Sequence, residues 1–276
     1  MVNGMTTVWK WMIVQRLWMA MGAVGLLVFS YRVAGVAVSS SLVFLVFVGT
    51  WFLYRMQKPL GRWSGFGPNS PWPWLSRYGV VAALGIAGIG VWLLWNRPVL
   101  VWLWAFAMPA VFYAMRLSMG RKNLHGLRSI PRIKIVLVAL VWTSIAMLPW
   151  VQWQHFQEFE TSVYAAMIFC WITVLTIPFD IRDQQLDVPS MKTIGQTLPA
   201  RHHPWVLIVL TLIASRGAYF LWQHRVITAT LLLLFIFIQV LSLALALYAS
   251  GRRSIWLFEG LLDGMLVLMG VAYWVY

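Results

Sequence analysis

An all-α bundle of nine transmembrane helices is the fold class this sequence predicts, and three observations carry the prediction. The chain is 61% hydrophobic with a mean hydropathy of +0.77 over 276 residues, more apolar than a soluble domain of that length. Apolar runs of about twenty residues recur from end to end, each long enough to cross a bilayer as a helix. Lys and Arg gather in alternate connections. The runs show no two-residue alternation, so helices, not a closed barrel, satisfy the backbone within the membrane.

The spans follow in order. The first run, 12–31, lacks a small-residue cleavage site and reads as a span, not a removable leader. The second is 34–54. The third, 78–96, carries Gly85, Gly88 and Gly90, which suit close helix packing. The fourth, 98–115, contains Pro109, a site for a kink. The remaining spans are 134–151, 161–179, 205–223, 226–249 and 255–275. Nineteen Trp, several near run ends (Trp9, Trp11, Trp72, Trp74, Trp150, Trp153), match interfacial anchors. The single Cys170 excludes an intramolecular disulfide and a cysteine metal site. The whole chain, 1–276, reads as one transmembrane domain whose long loops are 55–77, 116–133 and 180–204.

Charge predicts the orientation. With the N-terminus cytoplasmic, seventeen of the twenty-one Lys and Arg fall on the cytoplasmic side; Arg32, Arg97, Arg216 and Arg225 do not. This satisfies the positive-inside rule and requires an odd number of spans, placing the C-terminus opposite. The expected location is the cell membrane. The net charge of +14 favours anionic lipid or an anionic substrate. No nucleic-acid motif accompanies it, so a nucleic-acid partner is not expected.

Against that basic background, acids are scarce. Three of the seven carboxylates, Asp180, Asp183 and Asp187, recur at i, i+3 and i+7, which a helix places on one face. Such a trio repels itself unless a cation intervenes. Oxygen ligands of this kind suit Mg²⁺, shared with substrate phosphates. Three loop mouths open on the same predicted face, where basic side chains can meet a metal-bound phosphate. In the last span Glu259 and Asp263, at i and i+4, share a face; they read equally well as a general base or as a pair neutralised by Arg252, Arg253 or a helix end. His202 and His203 point apart on a helix and read as a solvated pair, and Glu158 and Glu160 as loop residues on the far side.

The stretch Asp180-x-x-Asp183-x-x-x-Asp187 followed by Lys192-Thr193-Ile194, placed after span six, resembles the second aspartate-rich motif of the UbiA superfamily of intramembrane prenyltransferases. Tyr113-Ala114-Met115-Arg116 and the basic loop closing on Ser129-Ile130-Pro131 resemble that family as well. The resemblance implies nine helices around a central cavity, with a prenyl group passing from a Mg²⁺-bound prenyl diphosphate to a lipid-soluble acceptor. It implies Asp180, Asp183 and Asp187 as metal ligands, with Lys192 and Arg116 near the diphosphate. The family's first aspartate-rich motif, after span two, has no counterpart: Tyr54 to Arg62 holds no carboxylate. Either Arg55, Lys58 and Arg62 neutralise diphosphate in place of a second metal, or the fold persists without the reaction.

Ionisation of an allylic diphosphate also needs electron-rich walls for the developing carbocation. Tyr54, Tyr113, Trp142, Trp171 and Phe179 are candidates, though each singly reads more simply as packing or lipid contact. Two alternatives keep the fold: a cyclase without an acceptor, and a non-catalytic lipid-diphosphate binder. A transporter is disfavoured by the few charged residues within the spans.

Overall fold

The computed structural model describes residues 16–56, 117–119, 122–124, 133–152, 159–184, 194–250, 252, 254 and 256–272. They form a helical bundle: α1 (Leu17–Val33), α2 (Ser40–Met56), α3 (Ile133–Ala146), α4 (Phe159–Asp183), α5 (His203–Gln223), α6 (Ala229–Ala249) and α7 (Asp263–Ala272). The predicted stretches 78–96 and 98–115 lie outside the described residues. Three helices, those over Phe159–Asp183, Ala200–Gln223 and Ala229–Ala249, are long and apolar enough to cross a membrane; α1, α2 and α3 are shorter and apolar.

Local chemistry explains where helices differ from the predicted spans. The stretch 134–151 is broken at Met147 into α3 and a short helix, Leu148–Gln152. Pro149 is the cause: it lacks an N–H and disfavours helical backbone at the residue before it. By contrast, α4 runs through Pro178 and carries Asp180 to Asp183 as its last turn, not as the start of a loop. The basic loop 116–133 contains a small antiparallel hairpin, Leu117–Met119 with Lys122–Leu124, in which Ser118 faces Asn123. A π-helical turn, Trp256–Leu262, leads into α7.

Packing places α4 at the centre, against α3, α5 and α6, while α1 packs on α2 and α7. The α1–α7 seam is backbone to backbone. A Cβ on Gly25 would lie 2.6 Å from Leu266 O, and one on Gly270 would lie 2.5 Å from Gly25 Cα. Small residues are thus required there, as at other close helix crossings in lipid. Polar side chains pin other pairs. Ser30 donates to Leu26 O at 2.8 Å, so its contact with the Tyr164 hydroxyl, also 2.8 Å, is accepted from the tyrosine. Trp171 donates to Ser242 at 3.0 Å, and Ser215 bonds Gln239 between α5 and α6.

The bundle's outer surface is apolar. On α5, Trp205, Val209, Leu212 and Ile213 are exposed; on α6, Leu233, Phe237 and Val240 are exposed. Those spacings each draw one stripe along a helix. Water-facing stripes of this size would be strongly unfavourable, whereas lipid accepts them.

Candidate functional site

The site begins with two helix ends that are charged the wrong way. Asp180 and Asp183 occupy the C-terminal turn of α4, where the helix dipole is negative. Lys134 is the second residue of α3, where the dipole is positive. Each arrangement is unfavourable alone, and each removes the other's cost. Lys134 Nζ lies 3.5 Å from Asp180 Oδ1 and 3.8 Å from Asp183 Oδ2. Asp180 is 1% exposed, so its charge depends on protein partners instead of bulk water.

Arg182 extends the group. Its Nε donates to Asp183 Oδ1 at 2.9 Å. Its guanidinium carbon sits 5.2 Å from the Phe179 ring centre and 4.7 Å from that of Phe258, and the two rings meet edge to face at 5.2 Å. The aromatic pair flanks the cation and ties α4 to the π-helical turn.

A second ion pair lies on that turn. Arg16, just before α1, pairs with Glu259 at 3.0 Å. Its backbone is left-handed, with φ of 63°, a conformation costly for a residue with a Cβ. Next to it, Trp18 donates its indole N–H to Gly260 O at 2.9 Å. Asp263 is buried and lies within the electrostatic reach of Arg16, Glu259 and Arg182. Three cations and four carboxylates therefore share one end of the bundle, holding four of the seven acids in a chain of net charge +14.

Several sequence expectations change here. Glu259 pairs with Arg16, remote in sequence, and Asp263 lies within reach of both Arg16 and Arg182; Arg253 lies outside the described residues. Arg252 turns instead to the Tyr248 hydroxyl at 2.7 Å. His203 is buried, with Nε2 3.0 Å from Leu198 O, and is not part of a solvated pair. Glu160 lies in the first turn of α4, 3.2 Å from His224 Nδ1, at the bundle end opposite Asp183. Tyr54 accepts from Trp142 Nε1 at 3.2 Å, whereas Trp171 is packed deep against Phe235.

Other candidates are not placed. Lys58, Arg62, Tyr113, Arg116, Asp187 and Lys192 lie outside the described residues, and Arg55 is placed only as part of the last turn of α2. Among the described residues no group of three or more His, Cys, Asp or Glu is gathered as a metal site. Sequence reasoning missed Lys134, Arg182 and Arg16 as site residues. Arg182 was findable, because it sits between two of the acids; the other two come from remote helix starts. Beside the site a hollow of about 350 Å³ is lined by Gln184, Gln196, Thr197, Leu198, Pro199, Ala200 and His203.

No family model matches the chain, and no curated protein or solved structure matches it.

Proposed function

We propose that this is a nine-span, UbiA-like prenyltransferase moving a prenyl group from a Mg²⁺-bound prenyl diphosphate to a lipid-soluble acceptor within the membrane. The observation that supports it most is the Asp180–Asp183 pair, with one cation within 4.0 Å of both carboxylates. Two carboxylates that face one cation offer oxygen-only donors, and that chemistry fits Mg²⁺. Asp180 and Asp183, with Asp187 from the adjoining segment, would hold the ion, and Lys192, Arg55, Lys58, Arg62 and Arg116 would attend the diphosphate. The metal, when bound, supplies positive charge to the departing diphosphate.

The chain's own residues do the rest. Lys134 and Arg182 hold the two acids in place. The Phe179 and Phe258 rings offer faces that stabilise positive charge without acting as nucleophiles. Glu259 and Asp263 are candidates to accept a proton from the acceptor. The polar hollow next to Gln184 offers amide, hydroxyl and imidazole groups to an acceptor's head group. The expected setting is the cell membrane, with the acidic end cytoplasmic.

The test is diphosphate release from prenyl diphosphates with Mg²⁺ and the purified protein, repeated with Asp183→Asn. Release by the wild type, lost in the variant, supports the reading. A second reading, a non-catalytic binder of lipid diphosphates, is favoured by the carboxylate-free segment Tyr54 to Arg62. Binding without release in the wild type would select it, and release without any acceptor would select a cyclase.

A further inference from the structure

We propose that Lys134 is a resident counter-cation of the Asp180–Asp183 pair, which a divalent ion must displace to bind. This rests on the metal-dependent reading above and adds to it a control on when the metal enters. The ammonium stands between the two carboxylates, 3.5 Å from one and 3.8 Å from the other. A divalent ion coordinating both would need that region. Arg182 already takes Asp183 Oδ1 from the other side, so the pair's charge is balanced before any metal arrives. A metal therefore gains less than it would from two bare carboxylates, and it must also move a like charge.

The position of Lys134 favours exchange over permanence. Its side chain is 12% exposed, against 1% for Asp180, so the lysine is the partner nearer an exit. It also stands at the positive pole of α3, which repels it. Once displaced, the ammonium remains at the mouth of the site as a donor for an anionic substrate. A dianionic or trianionic diphosphate arriving with its metal would thus draw the lysine away as the ion settles. Metal binding and substrate binding become mutually favourable through one side chain.

The experiment is titration of purified full-length protein with Mn²⁺, a hard surrogate for Mg²⁺, followed by electron paramagnetic resonance. Lys134→Met is expected to bind Mn²⁺ at least about tenfold more tightly than the wild type, because one like charge is removed from contact distance. Lys134→Arg keeps the charge and can bond both carboxylates in a fixed fork, so it is expected to bind several-fold more weakly. Adding a prenyl diphosphate should narrow the gap between wild type and Lys134→Met. The Arg variant retains the folded charge balance and gives a reading even if the Met variant does not fold. Unchanged Mn²⁺ affinity in the folded variants overturns the inference while leaving the metal site standing. No Mn²⁺ bound by the wild type or either variant, with or without diphosphate, overturns both.

Discussion

The Arg16 guanidinium and the Glu259 carboxylate meet at 3.0 Å, joining the entry to α1 with the π-helical turn before α7. Both side chains are 18% exposed, so neither charge is well hydrated by itself. Removing Arg16 leaves Glu259 facing the like charge of Asp263, whereas removing Glu259 leaves Arg16 with only the more distant Asp263. Arg16→Gln and Glu259→Gln should each destabilise the protein by roughly 1–3 kcal/mol, below the cost of a fully buried broken pair. Thermal unfolding in detergent measures this, and the exchanged double variant Arg16→Glu with Glu259→Arg should recover part of the loss.

The glycine seam makes a steric prediction. Gly25→Leu and Gly270→Val each place atoms where backbone now stands, within 2.6 Å of Leu266 O or 2.5 Å of Gly25 Cα. Neither partner atom is the end of a flexible side chain. Each variant should lose several kcal/mol or fail to accumulate, while Gly49→Ala, at a position with no heavy atom within 4 Å, should be tolerated. Size-exclusion profiles of the detergent-solubilised variants report the outcome.

Interhelical hydrogen bonds should matter less than the seam. Trp171→Phe removes the donor to Ser242 but keeps an aromatic ring against Phe235. Its cost should be about 1 kcal/mol, the usual value for such a bond in a membrane protein. Tyr164→Phe should behave alike, since Ser30 retains its bond to Leu26 O. A loss above about 3 kcal/mol in either would show that packing, not the bond, had been disturbed.

Stability, not catalysis, should separate the two described acids. Asp180 is buried and Asp183 is one-fifth exposed, so Asp180→Asn disturbs the neutral balance with Lys134 in a place water cannot repair. Both Asn variants should lower Mg²⁺-dependent diphosphate release by at least about a hundredfold. Only Asp180→Asn should also lower the unfolding temperature markedly. Equal activity in wild type and Asp183→Asn would remove that residue from the metal set.

Sidedness is testable without activity. Gln184 and Gln223 are exposed and lie at opposite ends of the α4–α5 pair. In a Cys170→Ser background, Gln184→Cys should react with an impermeant maleimide only from the cytoplasmic side. Gln223→Cys should react only from the other. Labelling of both from one side would contradict the orientation expected from Lys and Arg distribution.

Among the described residues apolar runs announced where helices lie, because length and hydropathy are properties of continuous sequence, though only three of those helices are long enough to cross a membrane. Boundaries were harder. Pro149 ended a helix while Pro178 did not, and the difference lies in surroundings that a run of letters does not show. The spacing of Asp180 and Asp183 put them on one helix face, as a 3.6-residue period requires. Their partner was not legible. Lys134 begins another helix and Arg16 a third, and nothing local to either marks it as a counter-ion. Charge pairing across helices is decided by packing, and the packing of α1 on α7 is set by Gly25 and Gly270.

The crossing of Gly25 with Gly270 has a consequence for biogenesis. α1 cannot settle onto α7 until synthesis has reached Gly270, so it must wait in the bilayer with its glycine face uncovered. During that interval it is the segment most open to a membrane chaperone or insertase, and most exposed to quality-control proteolysis. Ribosome stalling before residue 270 would therefore be expected to yield a chain in which α1 is labile while α4 to α6 are already assembled.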